Sequence, residues 1–182
     1  MTRLAARDIL RASLFTSLLA VGALASLPLG SVPFTLQTLV VVLAGMVLGP
    51  RVAALSIIAY LALGLVAPVY AGGTSGLAVL FGPTGGYLWG FVPSVLVTGA
   101  LAARDRSSLP WLVLAGLAGV VPIYALGAVW LAVTLDLSPS EAVLAGIVPF
   151  VWVDVVKAVA AALVARGLFS LPQGLPASPR GR

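Results

Sequence analysis

The chain contains no cysteine and no histidine. Without cysteine there is no disulfide framework, no thiolate-held zinc or iron–sulfur cluster and no thiol nucleophile. Without histidine the commonest metal ligand and the usual proton shuttle near neutral pH are gone. Charge is almost as scarce: 8% of the 182 residues are charged, and five of them are acidic. A soluble domain carries about 25% charged residues, so this chain cannot cover itself with a water-facing surface. A G-x-x-x-x-G-K-[ST] loop for nucleotide phosphates is also missing, and no polar segment is long enough to build a nucleotide-binding domain. Any ATP-driven step therefore needs an engine on another polypeptide.

What the chain has is apolar length. Hydrophobic residues make up 61% and the mean hydropathy is +1.17. Breakers divide the sequence into six runs, near 8–27, 35–48, 51–66, 87–103, 109–135 and from the 136–141 cap to 169, each read as a membrane helix. The fifth is longer than a span needs and reads as interrupted by Pro122. The first has no small-residue cleavage site ahead of a hydrophilic chain and reads as a retained helix. The expected fold is an all-α membrane protein, a six-transmembrane-helix bundle forming one substrate-binding domain over 1–170. A proline- and arginine-containing tail at 171–182 reads as disordered.

The net charge of +5 is arginine at the chain ends and in short connections, not a nucleic-acid surface. Arg3, Arg7 and Arg11 lie at the N-terminus, Arg51 lies between the second and third runs, and Arg104 and Arg106 lie between the fourth and fifth. Arg166, Arg180 and Arg182 follow the sixth run or end it, and the other three connections have no basic residue. Under the positive-inside rule this alternation places both termini in the cytoplasm with an even number of spans between them; the expected location is the plasma (inner) membrane.

The connections without basic residues are rich in other features. Thr35, Gln37 and Thr38 take neutral hydrogen-bonding groups into the second run. The 71–86 segment holds six glycines, which suit either close approach of backbone to a ligand or a flexible turn with helix-packing glycines. Ala12-x-x-x-Thr16-x-x-x-Ala20 and Gly86-x-x-x-Gly90 are small-residue faces that pack helices closely or dock a partner. Pro93, Pro122 and Pro149 inside spans would shape a cavity through kinks.

One pair stands out. Lys157, the single lysine, lies three residues after Asp154 within the last apolar run. Either charge at the bilayer centre costs roughly 2.5–3.5 kcal/mol on insertion scales, and at i, i+3 the two share one helix face. They are either a self-neutralising pair that fixes packing or the polar core of a ligand site, with Tyr87 and Trp152 as aromatic walls.

Three segments resemble the BioY family, the biotin-binding S-components of energy-coupling factor (ECF) vitamin transporters. They are Val32-Pro-Phe-Thr-Leu-Gln-Thr-Leu39, Gly72-Gly-x-x-Gly76 with Gly82-Pro-Thr-Gly-Gly-Tyr-Leu-x-Gly-Phe91, and Asp154-x-x-Lys157. The resemblance implies six helices enclosing biotin near the outer face, capped by the first and third connections. It implies as partners a transmembrane coupling subunit and two ATPase subunits, with ATP used there and no cofactor on this chain. Asp154, Lys157 and Tyr87 match family positions, and Gly73 and Thr74 fall in a loop where family members present an asparagine; this chain has Thr74 and Ser75. Ala12 and Thr16 stand where the family's docking face favours two alanines.

For biotin, Asp154 could accept from a ureido N–H while Lys157 donates to the ureido carbonyl, or Lys157 could instead hold the carboxylate. Two other classes remain open on sequence: a stand-alone proton-coupled transporter using Asp154, and an intramembrane enzyme. The last is disfavoured, because a single acid lies well inside a span and neither His nor Cys is present.

Overall fold

In a chain this apolar, backbone N–H and C=O groups away from water are best satisfied inside helices. The computed structural model, which describes residues 5–171, is accordingly helical almost throughout. Six helices of 12 to 27 residues, α1 (Ala6–Leu24), α2 (Gln37–Leu48), α3 (Pro50–Leu63), α5 (Gly85–Ala102), α6 (Leu109–Leu135) and α8 (Val151–Ser170), form the body. Two short ones, α4 (Leu77–Phe81) and α7 (Pro139–Gly146), precede α5 and α8. Helix α2 is central, packed against α1, α3, α5, α6 and α8. By length and composition α5 and α6 can each cross a membrane, and α7 with α8 can do so as one bent span. Both α2 and α3 are apolar but shorter, about 18 and 21 Å at 1.5 Å per residue.

Glycine sets how closely the helices approach. A Cβ on Gly90 would lie 2.7 Å from the Cα of Ile123, and one on Gly86 would enter Trp130 and the Leu126 carbonyl. The Gly86–Gly90 face is thus spent on the α5–α6 contact. Gly45 and Gly119 do the same for α2 and α6 against Thr98. The Ala12–Thr16 face is also internal: Ala12 and Thr16 are buried, and the Thr16 hydroxyl donates to the Ser56 carbonyl of α3 at 3.0 Å. Within this chain α3 covers the pair expected to dock a partner subunit.

Three boundaries differ from those read in the sequence. The first connection is a β-hairpin, β1 (Ser26–Leu29) with β2 (Val32–Thr35), turning at Gly30-Ser31 where Gly30 has φ +69°. Pro28 faces Pro33, one pair out from the turn. In an antiparallel ladder that alternates from a bonded pair at the turn, this is a position asking no N–H of either residue. Helix α2 starts two residues later than expected for the same reason, and the Leu36 N–H ties the hairpin base to the Gly22 carbonyl of α1 at 3.0 Å. Pro122 does not interrupt α6, which runs unbroken over 27 residues. The sixth run is instead broken: Ser138 and Glu141 form the expected capping box on α7, and α8 departs from it at 51° across 147–150, which includes Pro149. The polar turn after α5 is held by Asp105 Oδ1, which accepts from the Ser107 hydroxyl and from the N–H groups of Ser107 and Ser108. These bonds, the side-chain one foremost, keep the Asp105 carboxyl below the usual range. The expected tail lies, from residue 172 on, outside the described residues.

Because Gly90 faces backbone and not a movable side-chain tip, Gly90→Val should destabilise the protein by about 1–3 kcal/mol through overpacking. A thermal melt in detergent checks this; an unchanged midpoint would mean that α5 and α6 can part without loss.

Candidate functional site

At the end of the bundle away from the arginines, the helix ends and the two ordered connections enclose a cavity. It encloses about 630 Å³ of non-atom space, open solvent at the mouth included. Most of its wall is apolar, from Val32, Leu88, Phe91, Ile123 and Phe150 among others, and its polar groups cluster in two places.

The first cluster is the charged pair. Lys157 Nζ donates to Asp154 Oδ1 at 2.7 Å, and the Tyr124 hydroxyl of α6 donates to Asp154 Oδ2 at 2.6 Å. Both side chains of the pair are 6% exposed. Each carboxylate oxygen thus has a partner and a spare lone pair. The ammonium keeps further donors and lies 4.3 Å from the ring centroid of Phe34, which stacks on Phe150 at 6.2 Å. The hairpin thereby lays an aromatic face over the one lysine, a cation–π contact that strengthens when desolvated.

The second cluster is neutral. The Thr35 hydroxyl donates to Gln37 Oε1, Gln37 Nε2 donates to the Tyr60 hydroxyl at 2.9 Å, and Tyr60 donates to the Val69 carbonyl. This chain joins the hairpin, α2, α3 and the segment after α3. The Tyr70 hydroxyl, donating to the Leu61 carbonyl at 2.6 Å, packs in the space a side chain at Gly64 would fill. Tyr87 fits against Gly127 and Gly146 and donates to the Gly146 carbonyl at 2.9 Å, bracing α5 against α7. Thr38 and Thr84 add hydroxyls to the wall.

Of the residues expected at a site, Asp154, Lys157, Tyr87, Gln37 and Thr35 line this one cavity. Gly73 and Thr74 do not. Gly73 takes φ +72° in an exposed turn whose Thr74 hydroxyl donates to the Ala71 carbonyl, and their neighbours Tyr70 and Ala71 reach the cavity instead. Trp152 is corrected outright: it is 79% exposed, on the outside of α8. Two residues along a helix are about 200° apart around the axis, so a residue at 152 cannot share the face of 154. Phe150, four residues before Asp154, does share it. Sequence reasoning missed Phe150, Phe34, Tyr60 and Tyr124. For Tyr124 the signal was indirect: a buried carboxylate has more acceptor sites than one lysine satisfies, so a second donor was owed.

Comparison with known proteins identifies the family. The BioY family model matches residues 1–173. The chain is 44% identical to the "Biotin transporter BioY" of Thermotoga maritima, over 91% of this chain and 97% of that one. It is 38% identical to the "Probable biotin transporter BioY" of Pyrococcus horikoshii, over 90% and 96%. The structure is similar, with a TM-score of 0.82 and 27% identity, to a crystal structure of the S-component for biotin from an ECF-type ABC transporter, covering 92% of this chain and 95% of that one.

Two substitutions separate the wall from the exterior. Tyr124→Phe should lower stability by about 1–3 kcal/mol by leaving a buried carboxylate oxygen short of a donor, whereas Trp152→Ala, on the outer face, should leave the cavity intact. Melting curves and ligand binding of the two variants check this; a loss of binding in Trp152→Ala with Tyr124→Phe unaffected would reverse the assignment of faces.

Proposed function

The chain belongs to the BioY family, and from that premise we propose that it is the biotin-binding S-component of an ECF-type vitamin transporter. It is a membrane protein of a transporter family and not an enzyme. The observation that carries the ligand reading is the buried Asp154–Lys157–Tyr124 set, the charged cluster of a mostly apolar cavity. Biotin has a matching division: a ureido ring with two N–H donors and one carbonyl, on an apolar bicycle and chain.

In the pose we favour, the ureido carbonyl accepts from a remaining Lys157 donor and a ureido N–H donates to the spare lone pair of Asp154. Charge-assisted bonds of this kind are about twice as strong as neutral ones. The bicycle lies against Phe34, Phe150 and Tyr87. The valeryl carboxylate then points toward Thr84 and the first amides of α5, where the helix dipole favours an anion. The loop charges support six spans with both termini in the cytoplasm of the plasma membrane, and so a cavity that opens outward. A coupling subunit and two ATPase subunits would supply the energy. The reading of Asp154 as the proton site of a stand-alone carrier draws no support from a carboxylate already paired with an ammonium.

Equilibrium binding to the purified chain in detergent tests the proposal. Biotin should bind one to one. Desthiobiotin, which keeps the ureido ring, should compete, and thiamine should not. Lys157→Ala should weaken biotin binding by about tenfold or more, the value of a hydrogen bond to a charged group, and Asp154→Asn should weaken it too. A folded sample that ignores biotin would overturn the ligand reading, and unchanged affinity in the Lys157 variant would return the pair to a packing role.

A further inference from the structure

The opposite end of the bundle carries a second concavity, apart from the cavity described above. It is bounded by the first half of α1, the end of α2, the α5–α6 turn and the end of α8, with about 880 Å³ of non-atom space, mouth included. Its walls are aliphatic and aromatic, with Leu14, Val47, Leu168 and Phe169 among them, and two guanidinium groups, Arg11 and Arg106, stand on it. Arg106 is held over the Phe169 ring, 5.2 Å from its centroid.

Neither guanidinium has a counter-ion: among the described residues the only side-chain ion pair is Lys157–Asp154. The two acids nearest in sequence are turned to the backbone. Asp8 accepts from the Ala5 N–H at the start of α1, and Asp105 accepts from Ser107 and Ser108. Two unneutralised arginines at the rim of an apolar groove ask for a ligand that is anionic at one end and hydrocarbon at the other. The planar guanidinium fork matches phosphate oxygens, and basic pockets between membrane helices on the cytoplasmic side suit anionic headgroups.

We propose that this groove is a binding site for an anionic phospholipid, its phosphate between Arg11 and Arg106 and an acyl chain along Leu14, Val47 and Leu168. A soluble phosphate would satisfy the arginines but would leave the apolar walls bare, so the lipid is the occupant the groove fits. The site rests on the arginine placement and is independent of what the outer cavity binds.

Native mass spectrometry of the full chain, titrated with phosphatidylglycerol and with phosphatidylcholine of the same acyl chains, tests this. One phosphatidylglycerol should be retained in preference to phosphatidylcholine. Arg11→Gln and Arg106→Gln should each weaken that retention about fivefold, as expected for one basic residue at an anionic lipid. Arg51→Gln, which removes an arginine from the same end but not from the groove, should not. Melting temperatures confirm that each variant is folded. Equal retention of the two lipids, or an equal loss in Arg51→Gln, would overturn the site in favour of diffuse attraction. Displacement of the lipid by millimolar inorganic phosphate would overturn the lipid in favour of a soluble anion.

Discussion

Removing two opposite charges from water in a lipid-facing protein is the constraint around which the bundle is arranged. The attraction between Asp154 and Lys157 repays their desolvation only if the geometry is good and the remaining lone pairs and protons are also satisfied. Tyr124 supplies the second donor to Asp154, and Phe34 with its stacked neighbour Phe150 covers the ammonium. Those partners come from α6, the hairpin and the start of α8, so the pair cannot be neutral and dry unless all three are in place. The bend between α7 and α8 then has a clear use: it brings Phe150 and Gly146 over the cavity while α8 continues behind it.

The second requirement is closeness. Polar groups can share a narrow cavity only if the helices bearing them approach tightly, and here glycine permits it. Tyr87 occupies room left by Gly127 and Gly146, and α5 reaches α6 through Gly86 and Gly90. Among the described residues, the side-chain oxygens of Ser94 and Thr98 are buried on that seam with no hydrogen-bond partner.

The helices were legible because hydropathy and loop charge both follow from the lipid environment, and the Asp154–Lys157 pair because a charge in an apolar run has so few excuses. The hairpin was not legible: Pro28, Gly30 and Pro33 read as breakers, and only their register shows that both prolines fall where no donor is needed. Trp152 was misplaced by chemistry overruling geometry, since an aromatic near an acid looks like a pocket wall until the helix is turned through two residues. Ala12 and Thr16 are a different case. Small residues announce a close contact, but the sequence does not say with whom, and the contact is with α3. The partners of Asp154 and Lys157 from other helices, Tyr124 and Phe34, depend on tertiary packing that no local pattern encodes.

The unequal lengths of the helices reach beyond the protein. Helix α6 extends about 40 Å while α3 extends about 21 Å, against a hydrocarbon layer of about 30 Å. One flank is therefore too tall for a uniform bilayer and another too short. Tilting can relieve the first, while on the α3 side the bilayer can thin or flanking side chains can snorkel, at a fraction of a kcal/mol for each ångström of mismatch. The thickness of the surrounding membrane thus becomes a variable in this protein's own stability.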